Sequence, residues 1–220
     1  IKMHRTDGLY FDYGIFTNIS PDHIGPGEHA DFEEYLYYKT RLLNMCRIGL
    51  VNKDDEHAEQ IIKAADCELY TYSEKGKEAD FSASDIRYVS QPDFVGTEFH
   101  ISGKYDMEVR LGIPGLFNVV NALAAVSVCS FLDLDKEKIS HALEHIRVNG
   151  RMEIVYTSER CTVLVDYAHN AVSMESLLST LRDYKPKRLV CVFGCGGNRS
   201  KDRRYSMGEI GGKLADLSII

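Results

Sequence analysis

No stretch of this chain approaches the ~20 consecutive apolar residues that a membrane-spanning helix needs. No secretory signal opens it either, because Ile1-Lys2-Met3-His4-Arg5 leads straight into polar sequence. An excess of basic charge is also missing: 26 Lys and Arg face 33 Asp and Glu, for a net charge of -7. That balance argues against a nucleic-acid polymer as the main partner, since a phosphate backbone calls for a basic field. It leaves nucleotides open, because they need only a local site. The six cysteines contain no C-x-x-C pair, so a zinc site is not expected. Most of them stand in apolar runs and read as reduced, buried thiols of a cytoplasmic protein. No G-x-x-x-x-G-K-[ST] loop occurs, so the chain lacks the usual backbone cradle for a triphosphate. Internal repeats and low-complexity segments are absent as well.

What is present is a globular composition, 44% hydrophobic and 27% charged, at a length that fits one or two domains. Aromatic and β-branched residues make 13–19 a buried strand. A turn segment with Pro21, Gly25, Pro26 and Gly27 follows. Over 31–46, Phe32, Tyr35, Leu36, Lys39, Leu42, Leu43 and Cys46 recur at helical spacing and form one stripe. Asp31 is placed to cap that helix, with Glu34 as an acidic variant of the capping box. Strands are predicted at 47–52 and 69–72, a helix at 54–65, and an antiparallel patch over 79–111 with turns at Gly96 and Gly103. Two helices follow, an apolar one at 118–132 and another at 135–147.

At Asn149-Gly150-Arg151 the pattern restarts. A strand at 162–166, a helix at 173–184, a strand at 188–193, a glycine loop, a helix at 205–214 and a strand from 217 make β-α-β-α-β. That order predicts a parallel sheet with right-handed crossovers. The fold class is α/β, with one domain expected over 1–149 and a second over 150–220. The chain stops within its last predicted strand, so it is expected to be a piece of a longer protein.

Lys39 is the most informative position, between Leu36 and Leu42 on the apolar stripe. Burial disfavours an ammonium. A neutral amine reacts with carbon dioxide, and the resulting carbamate can ligate Mg²⁺ as a carboxylate does. The alternative is a lysine whose stem follows the stripe edge while its head stays in water. His23 ends the run Thr17-Asn18-Ile19-Ser20-Pro21-Asp22-His23 beyond a buried strand. Ligand-binding residues gather at such strand ends in α/β sheets, so His23 is a candidate metal ligand, against a solvated loop histidine. Asp22, Glu28, His29 and Asp31 read as solvated or capping, and His141 and His145 as exposed surface.

Five blocks then resemble the Mur ligase family. Phe16 to His23 with Tyr35-x-x-x-Lys39-x-x-Leu42-Leu43 is similar to its central-domain motif. Gly115-Leu116-Phe117-Asn118-Val119-Val120-Asn121-Ala122-Leu123-Ala124-Ala125 resembles its G-x-F-N-x-x-N-x-L-A-A helix. Gly150-Arg151-Met152-Glu153 and Val165-Asp166-Tyr167-Ala168-His169 resemble its G-R-M-E and V-D-Y-A-H. Phe193-Gly194-Cys195-Gly196-Gly197-Asn198-Arg199, with Met207-Gly208 beyond, resembles the glycine loop of the branch that makes a muramoyl tripeptide. The blocks run in family order from 16 to 208. Departures are Met3 in place of a polar contact, Asn170-Ala171 in place of Thr-Pro, and Asn198 in place of an aspartate.

The resemblance implies part of a central ATPase-type domain followed by the start of a Rossmann-like C-terminal domain. It implies ATP and Mg²⁺ as cofactors, with Lys39, as a carbamate, and His23 at the metal. It implies Asn118, Asn121, Arg151 and Asp166 at the ATP, with Gly150 at a hinge. Arg5 would hold UDP-N-acetylmuramoyl-L-alanyl-D-glutamate, and Arg199 the carboxylate of an incoming diamino acid, L-lysine or meso-diaminopimelate. The implied reaction joins the two through an acyl phosphate, in a cytoplasmic monomer without nucleic-acid partners. The 220 residues alone are expected to be inactive for want of the phosphate loop. Two alternatives stand beside this one: a folylpolyglutamate or cyanophycin synthetase of the same superfamily, and a non-catalytic nucleotide-binding module.

Overall fold

The first strand, β1 (Phe11–Phe16), carries Phe11, Tyr13, Ile15 and Phe16, and the chain continues through helices and further strands. The computed structural model describes residues 1–21, 24, 25, 28–196 and 201–220. His23 and Arg199 lie outside the described residues. The chain divides into two compact units. The first comprises Ile1–Ile86, Phe99–Val109 and Phe117–Leu143, and the second Arg87–Glu98, Arg110–Leu116 and Glu144–Ile220.

After β1 come α1 (Phe32–Thr40), a 3-10 turn (Arg41–Asn44), β2 (Cys46–Asn52), α2 (Ala58–Ala64) and β3 (Glu68–Ser73). β4 (Phe81–Ser90), β5 (Val95–Gly103) and β6 (Met107–Leu111) complete a six-stranded sheet of order β1-β2-β3-β4-β5-β6. β1, β2 and β3 are parallel neighbours, and β4 joins β3 in parallel at Tyr72↔Phe81 and Ser73↔Ser82. β2 is buried along nearly its whole length, CRIGLVN, as expected of a parallel strand covered on both faces. α3 (Leu116–Phe131) and α4 (Lys136–Glu144) follow.

Leu36, Leu43, Val51 and Ile61 pack with Phe16 under α1 and α2. Tyr72, Phe81 and Leu123 are likewise almost fully enclosed. Each such side chain contributes roughly 1.5–3 kcal/mol relative to exposure. Phe131, at the end of α3, meets the rings of Tyr13, Tyr70 and Phe81.

Two glycines let β1 and β2 lie under a pair of thiols. Gly14 and Gly49 are register partners. A Cβ on Gly14 would stand 2.7 Å from the Cys46 sulfur, and one on Gly49 2.7 Å from the Cys67 sulfur. Burial pushes the Cys46 thiol up to about 12 and raises Cys67 as well. At Gly49 the Cβ would also meet Leu69 at 2.9 Å and Leu43 at 3.1 Å. Gly49→Ala is therefore expected to destabilise by about 1–3 kcal/mol through overpacking. Chemical denaturation of the variant beside the parent measures it, and an unchanged midpoint would contradict the packing argument.

In the second unit β7 (Glu153–Thr157) and β8 (Thr162–Val165) form an antiparallel hairpin. α5 (Ala171–Asp183), β9 (Val190–Val192), α6 (Lys201–Leu214) and β10 (Leu217–Ile219) follow, with β9 and β10 parallel. The parallel sheet predicted from 162 onward is thus present as its last two strands, while β8 bonds to β7. Asn170 caps α5 in a capping box with Ser173. Met174 and Leu178 of α5 pack against Leu189 and Met207. The Arg182 guanidinium and the Leu189 N–H hold the Asp216 carboxyl below the usual carboxylate range.

Three expectations change. The turn predicted at Gly96 falls instead at 91–94, where Gln91 and Phe94 exchange backbone hydrogen bonds. Gly96 lies inside β5, where a Cβ would stand 2.1 Å from the Leu111 carbonyl oxygen. The helix expected over 31–46 is α1 plus the 3-10 turn, and Cys46 opens β2. All six cysteines are free thiols, but Cys161 is exposed rather than buried, in the turn between β7 and β8.

Candidate functional site

The carboxyl ends of β1, β2 and β3 are stitched together by the run Asn52-Lys53-Asp54-Asp55. Asn52 donates through its side-chain amide to the Thr17 carbonyl at 2.9 Å, and the Asp55 carboxylate accepts from the Ile19 N–H at 2.9 Å. Asp54 accepts from the Ser73 hydroxyl and the Glu74 N–H, each at 2.7 Å. Burial raises the neighbouring Glu74 carboxyl, with the Asp54 charge adding to it. The backbone at Thr17 and Ile19 is therefore held just beyond a strand tip, where α/β sheets collect ligands. The sequence reading passed over Asn52, Asp54 and Asp55. An asparagine and paired aspartates directly after an apolar strand were the available signal.

α1 begins as expected. The Asp31 carboxylate accepts from the Glu34 N–H at 2.8 Å. The Glu34 carboxylate returns not to the cap residue but to the Ala30 N–H, at 2.7 Å. The same oxygen takes the Lys2 ammonium at 2.8 Å and has the His29 ring nitrogen at 3.6 Å. The Lys2 hydrogen bond, followed by that of the Ala30 N–H, holds the Glu34 carboxyl below its ordinary range. His29 thus sits against Glu34 and the rings of Tyr35 and Tyr38 rather than in solvent.

Lys39 requires a correction. The buried residues of α1 are Tyr35, Leu36 and Thr40, and Lys39 is exposed. Its Nζ lies over the Tyr35 ring, 5.3 Å from the centroid. The inward line runs Leu36 and Thr40 at i, i+4 spacing in α1 and continues to Leu43 in the 3-10 turn, with Lys39 beside it. Enclosure in an apolar face therefore does not prepare this amine; its stem follows the core while its head meets water.

On α3 the two asparagines differ. Asn118 is buried, at 8% exposure, in the first turn, while Asn121 is exposed on the next turn. The Asn121 amide reaches the Asn118 side-chain oxygen in a long contact of 3.5 Å. Asn118 is thus an enclosed residue within α3, and Asn121 stands at the helix surface. His141 and His145 are exposed, as predicted.

In the second unit the G-R-M-E and V-D-Y-A-H blocks meet at one carboxylate. Asp166 accepts from the Met152 N–H at 2.9 Å and, through its other oxygen, from the Ala168 N–H at 2.8 Å. Met152 is buried at 1% exposure and holds φ 45°, a left-handed conformation costly for a side chain this size. Gly150, at φ 67°, donates to the Glu153 carboxylate at 2.6 Å. Arg151 is exposed and lies over the Tyr167 ring at 4.7 Å. Asp166 therefore braces the turn from which Arg151 projects. His169 is exposed, with its ring nitrogen 3.1 Å from the Tyr167 carbonyl. Arg5 is exposed in the turn-rich segment ahead of β1. Lys39, Asn118 and Asn121 belong to the first unit and Arg151 and Asp166 to the second.

Each unit thus carries polar groups of its own: side-chain amides on α3 in the first, and in the second a guanidinium over a phenol ring and a carboxylate with lone pairs to spare. Among the described residues no group of three His, Cys, Asp or Glu is arranged to hold a metal, and no helix is long and apolar enough to cross a membrane.

Residues 1–129 match the model of the Mur ligase middle domain, and residues 150–220 that of the Mur ligase glutamate ligase domain. The chain is 38% identical over 231 residues to the UDP-N-acetylmuramoyl-L-alanyl-D-glutamate--2,6-diaminopimelate ligase of Alkaliphilus oremlandii (strain OhILAs), covering 100% of this chain and 45% of that protein. It is 38% identical over 221 residues to a second such ligase, from Clostridium acetobutylicum, covering 100% of this chain and 44% of the relative. A solved structure of a UDP-N-acetylmuramoyl-L-alanyl-D-glutamate--2,6-diaminopimelate ligase superposes with TM-score 0.76 at 28% identity, over 98% of this chain and 45% of that one. The chain thus spans a little under half the length of these relatives.

Proposed function

Because the chain belongs to the Mur ligase family, with its middle and glutamate ligase domains in order, we propose that the complete protein is an ATP-dependent ligase of peptidoglycan precursor synthesis. It joins a diamino acid to UDP-N-acetylmuramoyl-L-alanyl-D-glutamate. The observation that supports this reading is the match over all of this chain, at 38% identity, to relatives named for that reaction. Their names also favour meso-diaminopimelate over L-lysine, and favour the muramoyl substrate over folate or cyanophycin. Cytoplasmic location and a monomeric state go with the same reading.

The terminal carboxylate of the substrate attacks the γ-phosphorus of ATP, and the β–γ bridging oxygen leaves with ADP. The amine of the diamino acid then attacks the acyl carbon, phosphate departs, and the amine gives up a proton. Asn121, with Asn118 behind it, takes the nucleotide from α3. Arg151 reaches the phosphates from the braced turn, and Asp166 offers its remaining lone pairs to the ribose hydroxyls. Arg5 holds the nucleotide-peptide, and Arg199 the carboxylate of the incoming amino acid. Bringing amine and acyl phosphate together is chiefly a matter of positioning.

Lys39 and His23 are the residues proposed to hold Mg²⁺. The donor set fits: the exposed Lys39 amine is open to carbon dioxide, and a carbamate oxygen is a hard donor of the kind Mg²⁺ prefers. When bound, the ion offsets charge on the phosphoryl oxygens.

The test is direct. The complete protein, given Mg-ATP, UDP-N-acetylmuramoyl-L-alanyl-D-glutamate and meso-diaminopimelate, is expected to release ADP and phosphate and yield the tripeptide by mass. L-lysine in place of meso-diaminopimelate is expected to react at least 100-fold more slowly, the scale that a missing polar contact imposes. Absence of tripeptide with either amine, under conditions where a reference ligase works, would overturn the reading.

A further inference from the structure

Residues 1–10 precede β1 as a run of turns within the first unit. Three backbone hydrogen bonds there are local. The His4 N–H donates to the Ile1 carbonyl at 3.0 Å, the Asp7 N–H to the His4 carbonyl at 3.4 Å and the Leu9 N–H to the Thr6 carbonyl at 3.1 Å. Each joins residues three apart, so each shapes a turn without fastening it to the core. At the far end the Phe11 N–H donates to the Met45 carbonyl at 2.8 Å, which fixes the segment where β1 begins. The other hold is Lys2. Its ammonium donates to the Glu28 carbonyl at 2.6 Å and to the Glu34 carboxylate at 2.8 Å, and it lies 5.7 Å from the centre of the Tyr38 ring.

Arg5 projects between these two holds. Lys2 lies inside the turn closed by the His4-to-Ile1 bond, and Arg5 comes directly after it. His4 holds φ 56°, in the left-handed region, and its ring nitrogen lies 2.9 Å from the Asp7 carboxylate. Both restrict the backbone on either side of Arg5. Where Lys2 is anchored therefore decides where Arg5 starts from. Glu34 is itself fixed in the first turn of α1, where the same oxygen accepts from the Ala30 N–H at 2.7 Å. Lys39 stands on that helix as well. The Lys2 and Glu34 side chains are 29% and 31% exposed, so their ion pair is partly shielded from solvent.

We propose that Lys2 and Glu34 are positioning residues for the muramoyl substrate. Their ion pair fastens the Arg5 segment to the start of α1 and so sets the place from which Arg5 reaches the nucleotide-peptide, relative to the helix that carries Lys39. This rests on the reading above that Arg5 holds that substrate.

The experiment is Lys2→Met in the complete protein, with steady-state kinetics varied in each substrate. The KM for UDP-N-acetylmuramoyl-L-alanyl-D-glutamate is expected to rise about three- to fivefold, the scale of one partly exposed ion pair. The KM values for ATP and the diamino acid, and kcat, should stay within about twofold of the parent. Lys2→Arg, which keeps the charge and the reach, should restore the muramoyl KM to within about twofold. Glu34→Gln should move the same KM in the same direction, and the double variant Lys2→Met with Glu34→Gln should be no worse than the larger single change. A fully additive double variant would mean that the two side chains act separately, against the proposal. Arg5→Ala separates the two ideas. If it raises the muramoyl KM while Lys2→Met and Glu34→Gln leave it at the parent value, the positioning role is wrong and the Arg5 reading stands. If Arg5→Ala itself leaves that KM unchanged, the Arg5 reading fails and takes this proposal with it. An equal rise in every KM with a lowered melting temperature would make the pair a plain structural contact, also overturning the proposal. Should Glu34→Gln not fold, the two Lys2 variants decide.

Discussion

Lys39→Ala in the complete protein is expected to lower the rate of tripeptide formation by about 10²–10³-fold, the scale seen when one group that stabilises transferring charge is removed. Its melting temperature should barely move. Both halves of that expectation follow from where the side chain sits. Lys39 is exposed at the edge of α1, with its Nζ over Tyr35. Surface truncations of this kind usually change stability by less than about 0.5 kcal/mol, so a loss of activity would be a loss of chemistry. Lys39→Arg sharpens the test. Arginine keeps the positive charge but forms no carbamate, so it is expected to be as defective as alanine, and added bicarbonate should rescue neither. If Lys39→Arg retains near-parent activity, a cation suffices at this position and the carbamate role is wrong.

The second large effect is expected at Asp166. Its two carboxylate oxygens accept from Met152 and Ala168, and Met152 depends on that bond to stay in its left-handed conformation. Charge-assisted bonds to backbone amides are worth roughly 1.5–3 kcal/mol each when buried. Asp166 is only half-buried, so Asp166→Ala is expected to cost about 2–3 kcal/mol in all. In the complete protein a cost of that size lowers the melting temperature of the domain that carries Asp166 by several degrees. The same variant should weaken ATP binding, through the lost ribose contact and through Arg151, whose turn would lose its brace. Asp166→Asn keeps one acceptor and should fall between. Calorimetry and ATP titration on the three proteins give both numbers. A variant that loses ATP affinity at full stability would show that the carboxylate serves the ligand and not the turn.

The sequence made some of this plain and hid the rest for definable reasons. Asp31 was legible as a cap, and β2 and α3 as buried elements, because each is a local pattern of side-chain period and end chemistry. Lys39 misled because a place on an apolar stripe does not bury a long side chain whose head can reach water. Gly96 looked like a turn because its real role, close approach to the Leu111 carbonyl, is with a distant segment. β7 escaped notice because its five residues are half polar and lie directly after the expected boundary. Lys2 and Glu34 are 32 residues apart, and no spacing rule connects them. The family blocks survived these errors, since they rest on the order of motifs and not on any one burial assignment.

The thiols of this chain differ sharply in their access to water, and that has a practical side. Burial raises Cys46, Cys67, Cys129 and Cys191, which keeps them in the unreactive form at neutral pH. Cys161 stands exposed at a hairpin tip whose second strand ends one residue before Asp166. A maleimide dye added to the folded protein would therefore find Cys161 first. The fluorophore would sit five positions along the chain from Asp166, the carboxylate proposed to meet the ribose, an optical reporter of ligand arrival gained without altering the sequence.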